Sequence, residues 1–521
     1  MAKVIASMHP ALPKPPVRRL VRPLLHFLRI ESASGVVLLV CTVIALTMAN
    51  VEAAQQWYHD LWHTYVGVQL GSWTLGGALG HFFINDVLMT IFFFVVGLEI
   101  KRELVAGELR DPKKAALPVV AAVGGMVVPA GIYMALQWGQ PGFRGWGIPM
   151  ATDIAFVVGV MTVLGHRIPF GLKILLLSLA IVDDIGAVIV IAVFYTGDLN
   201  LLMLGLAGGG FALTYTLNRL GVRAVPTYVV VGAFIWLAFY KSGVHPTIAG
   251  VLLGLLTPAS AWVGEATLRE VLQDALRRMS ASSSERYSVL RDVGFTTRES
   301  ISPLERLELA LHPWVGFAIM PLFALANAGV HIELDEITDP IALAVALGLF
   351  LGKPIGIFLF SYLAVQVGLA HLPQGVNWKV LLGGGSLAGI GFTMSLFVAG
   401  LAFGDDAHRL ASGKIGTLMG SLLSVIAGTT LLLISLPYRE KPLLGLGDFA
   451  ENANSYDNGV SNAASSENPA SDSPLPNTAF PRNANSANDP FNATSSAEGS
   501  GLSGDVSPRD EPSGGSSSER R

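Results

Sequence analysis

Apolar runs recur along this chain, separated by short polar joints. At ~1.5 Å of rise per residue, about 20 apolar residues cross a ~30 Å hydrocarbon layer. By that rule the pattern predicts about twelve spanning helices, centred near Leu39, Phe92, Gly125, Ala155, Asp184, Ala207, Ala233, Leu252, Met320, Lys353, Gly391 and Ile426. Two stretches break the pattern. Glu265–Leu311 is charged, with helical spacing in LREVLQDALRRM, and is expected to lie along the membrane surface. From about Pro442 the chain turns to Asn, Ser, Ala, Gly and Pro, a composition that buries no core and predicts a disordered tail. The expected organisation is a basic N-terminus over 1–34, a membrane domain over 35–437 with a loop at 258–312, and a tail over 438–521.

Lys and Arg in the joints orient the segments. Lys101, Arg102, Arg110, Lys113 and Lys114 follow the second segment, Arg167 and Lys173 the fourth, Arg219 and Arg223 the sixth. The intervening joints are nearly bare: Val51–Leu79 has no Lys or Arg, and His331–Pro340 carries Glu333, Asp335, Glu336 and Asp339. Positive charge stays on the cytoplasmic side, so both termini are placed there. Trp57, Trp62, Trp73, Trp138 and Trp146 fall on the opposite side, as an interfacial aromatic belt would.

Composition adds little to this picture. Half of the chain is hydrophobic and 57 residues are Gly, which suits helices packed through small side chains. Cys41 is the only cysteine, so neither an intrachain disulfide nor a Cys-based metal site is available. Lys14, Arg18, Arg19, Arg22 and Arg29 precede the run Gly35–Asn50, and no small-residue cleavage site follows it. That run reads as a first spanning helix and not as a removed signal peptide.

The candidate chemistry lies where charge interrupts the apolar runs. Asp183 and Asp184 sit mid-way along Ile174–Tyr195, near the bilayer midplane. Each carboxylate there costs about 2.5–3.5 kcal/mol on an insertion scale, so the pair calls for a positive partner or cargo, or else for backbone donors that hold it structurally. Adjacent helical residues point about 100° apart, so the two face different surroundings. Asp153 lies in the fourth segment and Lys353 in the tenth. Lys353 is the expected counter-ion; snorkelling is the alternative, and its mid-segment position argues against it. Two segments also look broken, the fourth at Pro149 with Thr152 and Asp153, the eleventh at its glycines Gly383, Gly384, Gly385, Gly389 and Gly391. Broken helices expose positive N-terminal and negative C-terminal half-helix ends, which Asp153 and Lys353 respectively would offset. Interrupted segments in matching places of two halves point to inverted-repeat transporters; packing surfaces are the plainer reading of the glycines.

A second titratable group falls at helix ends. Glu99 and Glu103 share a helical face, as do Glu308 and His312, and His245 follows Lys241. A histidine among carboxylates titrates near neutral pH, although solvated helix-end charges give the same spacing.

Taken together, GLEIKREL (Gly97–Leu104), ATDIAF (Ala151–Phe156), LAIVDDIGAV (Leu179–Val188), SGVHPTIAGV (Ser242–Val251), LHPWVGFAIMPLFALANAGV (Leu311–Val330), GKPIGIF (Gly352–Phe358) and GIGFTMSLF (Gly389–Phe397) resemble the NhaA family of bacterial sodium/proton antiporters. The motifs run in family order from Phe27 to Pro437, leaving only the loop Glu265–Pro303 and the tail unexplained. The resemblance implies inverted repeats with two broken helices crossing at the midplane. It implies Asp184 as main sodium ligand and proton carrier, Asp183 as second essential carboxylate paired with Lys353, and Thr152 and Asp153 at the crossing. It places Glu99, Glu103, Glu308, His312 and His245 in regions of pH response. Where the family pattern has a histidine after the position of Glu308, this chain has Leu309, which removes one titrating group.

The function so implied is electrogenic, pH-dependent export of Na⁺ or Li⁺ in exchange for protons. It needs no cofactor beyond the transported ions, and a bacterial inner membrane would house it. Sodium, protons and membrane lipid are the expected partners, a homodimer is open, and nothing points to nucleic acid. Two other classes use similar parts. An intramembrane aspartyl protease also needs two carboxylates, but has no use for Lys353 and would carry a Gly-x-Gly-Asp stretch within a span, which is lacking. A sodium-coupled symporter of small anions would need a polar cavity that sequence does not report.

Overall fold

The computed structural model describes residues 31–436 except 72, 223–224, 279–282, 333 and 405. The basic N-terminal cluster and the tail, both expected from sequence, lie outside the described residues. Among the described residues, nine helices are long and apolar enough to cross a membrane, and two bent pairs raise the number to eleven. The remaining expected segment is a shorter apolar helix, Thr247–Leu256.

In chain order, α1 (Glu31–Asn50) and the amphipathic α2 (Glu52–His63) lead into a hairpin of β1 (Tyr65–Leu70) and β2 (Trp73–Ala78). Then come α3 (Leu79–Ala106), which opens with a π-helical stretch, and α4 (Pro112–Leu136). A 3₁₀ stretch, Pro141–Met150, and α5 (Ile154–Leu164) form the first bent pair. Next are α6 (Phe170–Phe194), α7 (Leu201–Arg219), α8 (Val225–Ser242) and α9 (Thr247–Leu256). A charged hairpin of α10 (Glu265–Arg278) and α11 (Ser283–Glu299) precedes α12 (Pro303–Asn327) and α13 (Pro340–Gln366). The second bent pair is α14 (Trp378–Ala388) with α15 (Phe392–Phe403), and α16 (Ala407–Ser435) closes the described chain.

Local chemistry sets the helix starts. Asp111 accepts from Lys113 N at 3.0 Å and Pro112 begins α4. Ser302 accepts from Glu305 N at 3.2 Å ahead of Pro303, the Ser-x-x-Glu signature of a capped N-terminus. Asp339 before Pro340 and Asp406 before Ala407 repeat the device. Helices then approach through glycine. A Cβ on Gly124 of α4 would strike the Gly356 carbonyl of α13, and one on Gly97 of α3 the Val251 carbonyl of α9. Outward-facing apolar side chains such as Val36, Leu202 and Val230, between 55% and 70% exposed, form a surface suited to lipid and not to water.

The β1–β2 hairpin is an addition to the all-helical expectation. Antiparallel pairing runs from Tyr65 opposite Ala78 to Leu70 opposite Trp73, and Gly71 takes φ +62° in the turn. The alternation of Val66, Gly67 and Val68 is too short and too rich in glycine to stand out within a joint otherwise marked by its lack of basic residues.

Candidate ion site

The two bent pairs meet at their breaks, 43° in the first and 47° in the second. Their backbones bond across the crossing, Asp153 N donating to Ile390 O at 2.7 Å. Four half-helix ends converge there, and the residues between the halves answer them. Asp153 caps α5 by accepting from Phe156 N at 3.2 Å. Its other oxygen accepts from Thr393 N at 3.1 Å and from the Thr393 hydroxyl, so one carboxylate serves the positive ends of both α5 and α15. At the carbonyl ends, the Thr152 hydroxyl lies 3.0 Å from Ala388 O of α14, and the Ser395 hydroxyl donates to Ile148 O at 2.7 Å. The negative ends are therefore met by hydroxyls and not by Lys353, which corrects that part of the sequence expectation.

Lys353 turns instead to α6. Its Nζ lies 2.6 Å from Asp183 Oδ2, both side chains fully buried, and also donates to the Thr152 hydroxyl. Thr152 Oγ1 is 2.7 Å from the same Asp183 oxygen. Asp183 Oδ1 is buried without a hydrogen-bond partner. Asp184, on the next position, is buried at 3% exposure and stands outside that ion pair. The charges that act on it are Asp183, Glu99, Lys353 and Asp153. Facing apart on one helix, the two aspartates thus have different surroundings, one in an ion pair with Lys353 and one outside it.

Charge is unbalanced at this crossing. Asp153, Asp183 and Asp184 are three buried carboxylates, and Lys353 is one buried ammonium, which leaves two negative charges to be met when all are ionised. Protons or a small cation can meet them, and a site of fixed size does not hold both at once. A carboxylate dyad sharing a proton between its two acids would not place an ammonium on one of them, so the pair is not arranged as in an aspartyl protease.

The helix-end group is also assembled. His312 Nδ1 is 3.7 Å from Glu99 Oε1, and Arg102 pairs closely with Glu308. Glu103 accepts from Ser178 Oγ at 3.2 Å and from Glu108 N at 2.9 Å. His245 stands elsewhere, with Nδ1 2.7 Å from Thr247 Oγ1 and Nε2 3.7 Å from Asp86 Oδ1. Burial holds its imidazole down to about 4 despite that carboxylate, so it is neutral at pH 7.

Sequence reading passed over several of these partners. Thr393 and Ser395 are hydroxyls directly after the GIG break, where a half-helix needs them, and that position was the available signal. Asp86 and Lys414 also lie within spans, α3 and α16, and belong with the intramembrane charges. Arg102 marks orientation in sequence; its pairing with Glu308, 206 residues away, becomes visible only in the fold.

A family model described as Na+/H+ antiporter 1 matches residues 25–432. The Na(+)/H(+) antiporter NhaA of Rhodopirellula baltica is 51% identical over 430 residues, covering 82% of this chain and 97% of that protein. The NhaA of Rhizobium meliloti is 48% identical over 433 residues, covering 82% and 98%, and the NhaA 2 of Vibrio vulnificus 45% over 414, covering 78% and 91%. With bent helices crossing at a buried carboxylate cluster and a match along nearly the whole membrane domain, the chain belongs to the NhaA family of Na⁺/H⁺ antiporters.

Proposed function

We propose that this protein is a secondary transporter of the bacterial inner membrane that exports Na⁺ or Li⁺ and imports protons, with both termini in the cytoplasm and no resident cofactor. One observation carries the reading: Asp183 keeps an unpartnered buried oxygen, beside Asp184, a buried carboxylate outside the Asp183–Lys353 ion pair. Na⁺ held by Asp184 and Asp183 excludes protons from the same carboxylates, so one site exchanges the two ions when it faces each side in turn. Thr152, already on Asp183, is placed to add a hydroxyl oxygen to the cation. Electrogenic exchange needs more than one proton per Na⁺. Two groups can supply them: the Asp184 carboxyl, and the Asp183–Lys353 pair, whose ammonium loses its partner when Na⁺ takes the aspartate.

Lipid is the expected surrounding partner, and a homodimer is compatible with the β1–β2 hairpin, whose two strands have no further strand beside them among the described residues. The test is a fluorescent-dye measurement of ΔpH in inverted vesicles with and without Na⁺. Wild-type protein should dissipate ΔpH on Na⁺ addition. Asp184→Asn keeps side-chain size but neither carries a proton nor neutralises Na⁺, so it should be silent while inserting normally. Robust Na⁺-dependent proton movement by that variant would refute the assignment.

A further inference from the structure

The helical hairpin α10–α11 supplies none of the hydrogen-bond or ion-pair partners described at the crossing, yet it is firmly built at its base. Trp262 N and Val263 N both donate to Glu299 O at 3.1 Å, and Arg306 of α12 lies 3.8 Å from the Glu299 carboxylate. Its two helices pack chiefly on each other, with Ala275 and Thr296 turned inward. Away from that seam the hairpin exposes large apolar side chains: Leu272, Leu276, Tyr287, Leu290 and Phe295, from 40% to 74% exposed. They are ordered by helical period. Leu272 and Leu276 are four apart on α10. On α11, Tyr287, Leu290 and Phe295 fall within a sector of about 140°, with Arg291 and Arg298 interleaved. Arginines set among exposed apolar residues suit an interface, where the stem lies in the apolar layer and the guanidinium reaches phosphate. Arg277 and Arg298 enter no ion pair among the described residues, whereas Arg269 and Arg278 are held by Glu265 and Asp274.

The occupant of this face is set by where the hairpin is tethered. Only residues 300–302 separate α11 from the spanning helix α12, and three residues reach roughly 10 Å at most. Residues 257–264 join the other end to α9. The base of the hairpin is therefore held within roughly 10 Å of the membrane-spanning α12, which puts a bilayer surface within its reach. We propose that α10–α11 is an interfacial lipid-docking element: its apolar stripe inserts into the headgroup layer of an anionic leaflet, and Arg277 and Arg298 engage lipid phosphate. The proposal rests on the membrane-embedded reading of the chain and not on which ions are exchanged.

The test reads depth and not transport, so the two conclusions fail separately. Full-length protein with Cys41→Ala would receive one cysteine at a time, Leu276→Cys, Leu290→Cys or, as the polar control, Gln273→Cys. Each is spin-labelled and placed in vesicles of phosphatidylcholine, alone or mixed with phosphatidylglycerol. Both leaflets carry the same lipid, so orientation does not enter. In the mixed vesicles the labels at 276 and 290 should be reached by oxygen and shielded from a water-soluble nickel complex, while 273 stays open to nickel. Shielding should fall in phosphatidylcholine alone, and Arg277→Gln with Arg298→Gln should erase the difference between the lipids. Nickel access at 276 and 290 in both lipids, or equal shielding in both, would overturn the proposal. So would shielding lost on truncation after Lys441, which would make the tail the occupant, or lost on diluting protein in lipid, which would make it a second copy.

Discussion

The Asp183–Lys353 contact is where stability and function meet at the residue scale. Both side chains are fully buried at 2.6 Å, so removing one leaves the other charged without water. Breaking a buried pair from one side costs roughly 3–5 kcal/mol, whereas removing both partners is far milder. Asp183→Asn and Lys353→Gln should each lower the melting temperature in detergent, and the double variant should recover most of the loss. Single-variant losses that simply add would show that the two do not interact. The pH response belongs to the same scale. Protonated aspartates do not bind Na⁺, so exchange should be small at acid pH and rise as protons leave. His312, 3.7 Å from Glu99, can tune that rise, and His312→Ala should shift the pH midpoint modestly without loss of activity at alkaline pH. His245 behaves differently. Its folded pKa of about 4 lies below the ordinary histidine value of 6.5, so it is already neutral above pH 6.5 and has no proton to lose as exchange switches on. His245→Asn should therefore keep the midpoint, measured at saturating and at limiting Na⁺. A shift as large as that of His312→Ala would place His245 in the switch.

At the scale of elements, the site exists because helices are broken and tightly packed around it. Asp153 can serve two half-helix N-termini only while α5 and α15 start side by side, and their positions follow from the surrounding α4, α13 and α16. The α4–α13 contact is made through Gly124 and Gly356, each of whose absent Cβ would meet the other's backbone. Gly131, on the same α4, has open space around it. Gly124→Ala should thus destabilise by about 1–3 kcal/mol through forced backbone separation. Gly131→Ala should be neutral or stabilising by up to about 1 kcal/mol, since alanine favours helix. Thermal unfolding of the two variants side by side checks this, and equal effects would mean that the close approach does not carry the packing.

Across the whole molecule, what sequence revealed and what it hid follow from the solvent. In a bilayer, length and apolarity decide which segments span, so the positions of the spans were legible, except that the segment near Leu252, expected to span, is the ten-residue α9. Charge in those spans is costly enough that Asp153, Asp183, Asp184 and Lys353 stood out individually. Their partners did not. Hydroxyls such as Thr152, Thr393 and Ser395 are cheap in an apolar helix, so only the broken backbone beside them hints at their work. Asp86 was hidden by the dense aromatic run that follows it, and the Arg102–Glu308 pair by its long loop closure. The β1–β2 hairpin escaped because a six-residue alternation interrupted by glycine is a weak signal beside spans of 25 residues.

The central claim is that Na⁺ and protons compete for the carboxylates at the crossing of the bent helices. Calorimetric titration of Na⁺ into the purified protein, in two buffers of different ionisation enthalpy, tests it most directly, because the difference in heat counts the protons released per Na⁺ bound. The account predicts proton release on Na⁺ binding near the pH where exchange begins, shrinking at more alkaline pH as the carboxylates arrive already deprotonated, and absent together with binding in Asp184→Asn. Na⁺ binding with no proton release at any pH would contradict it.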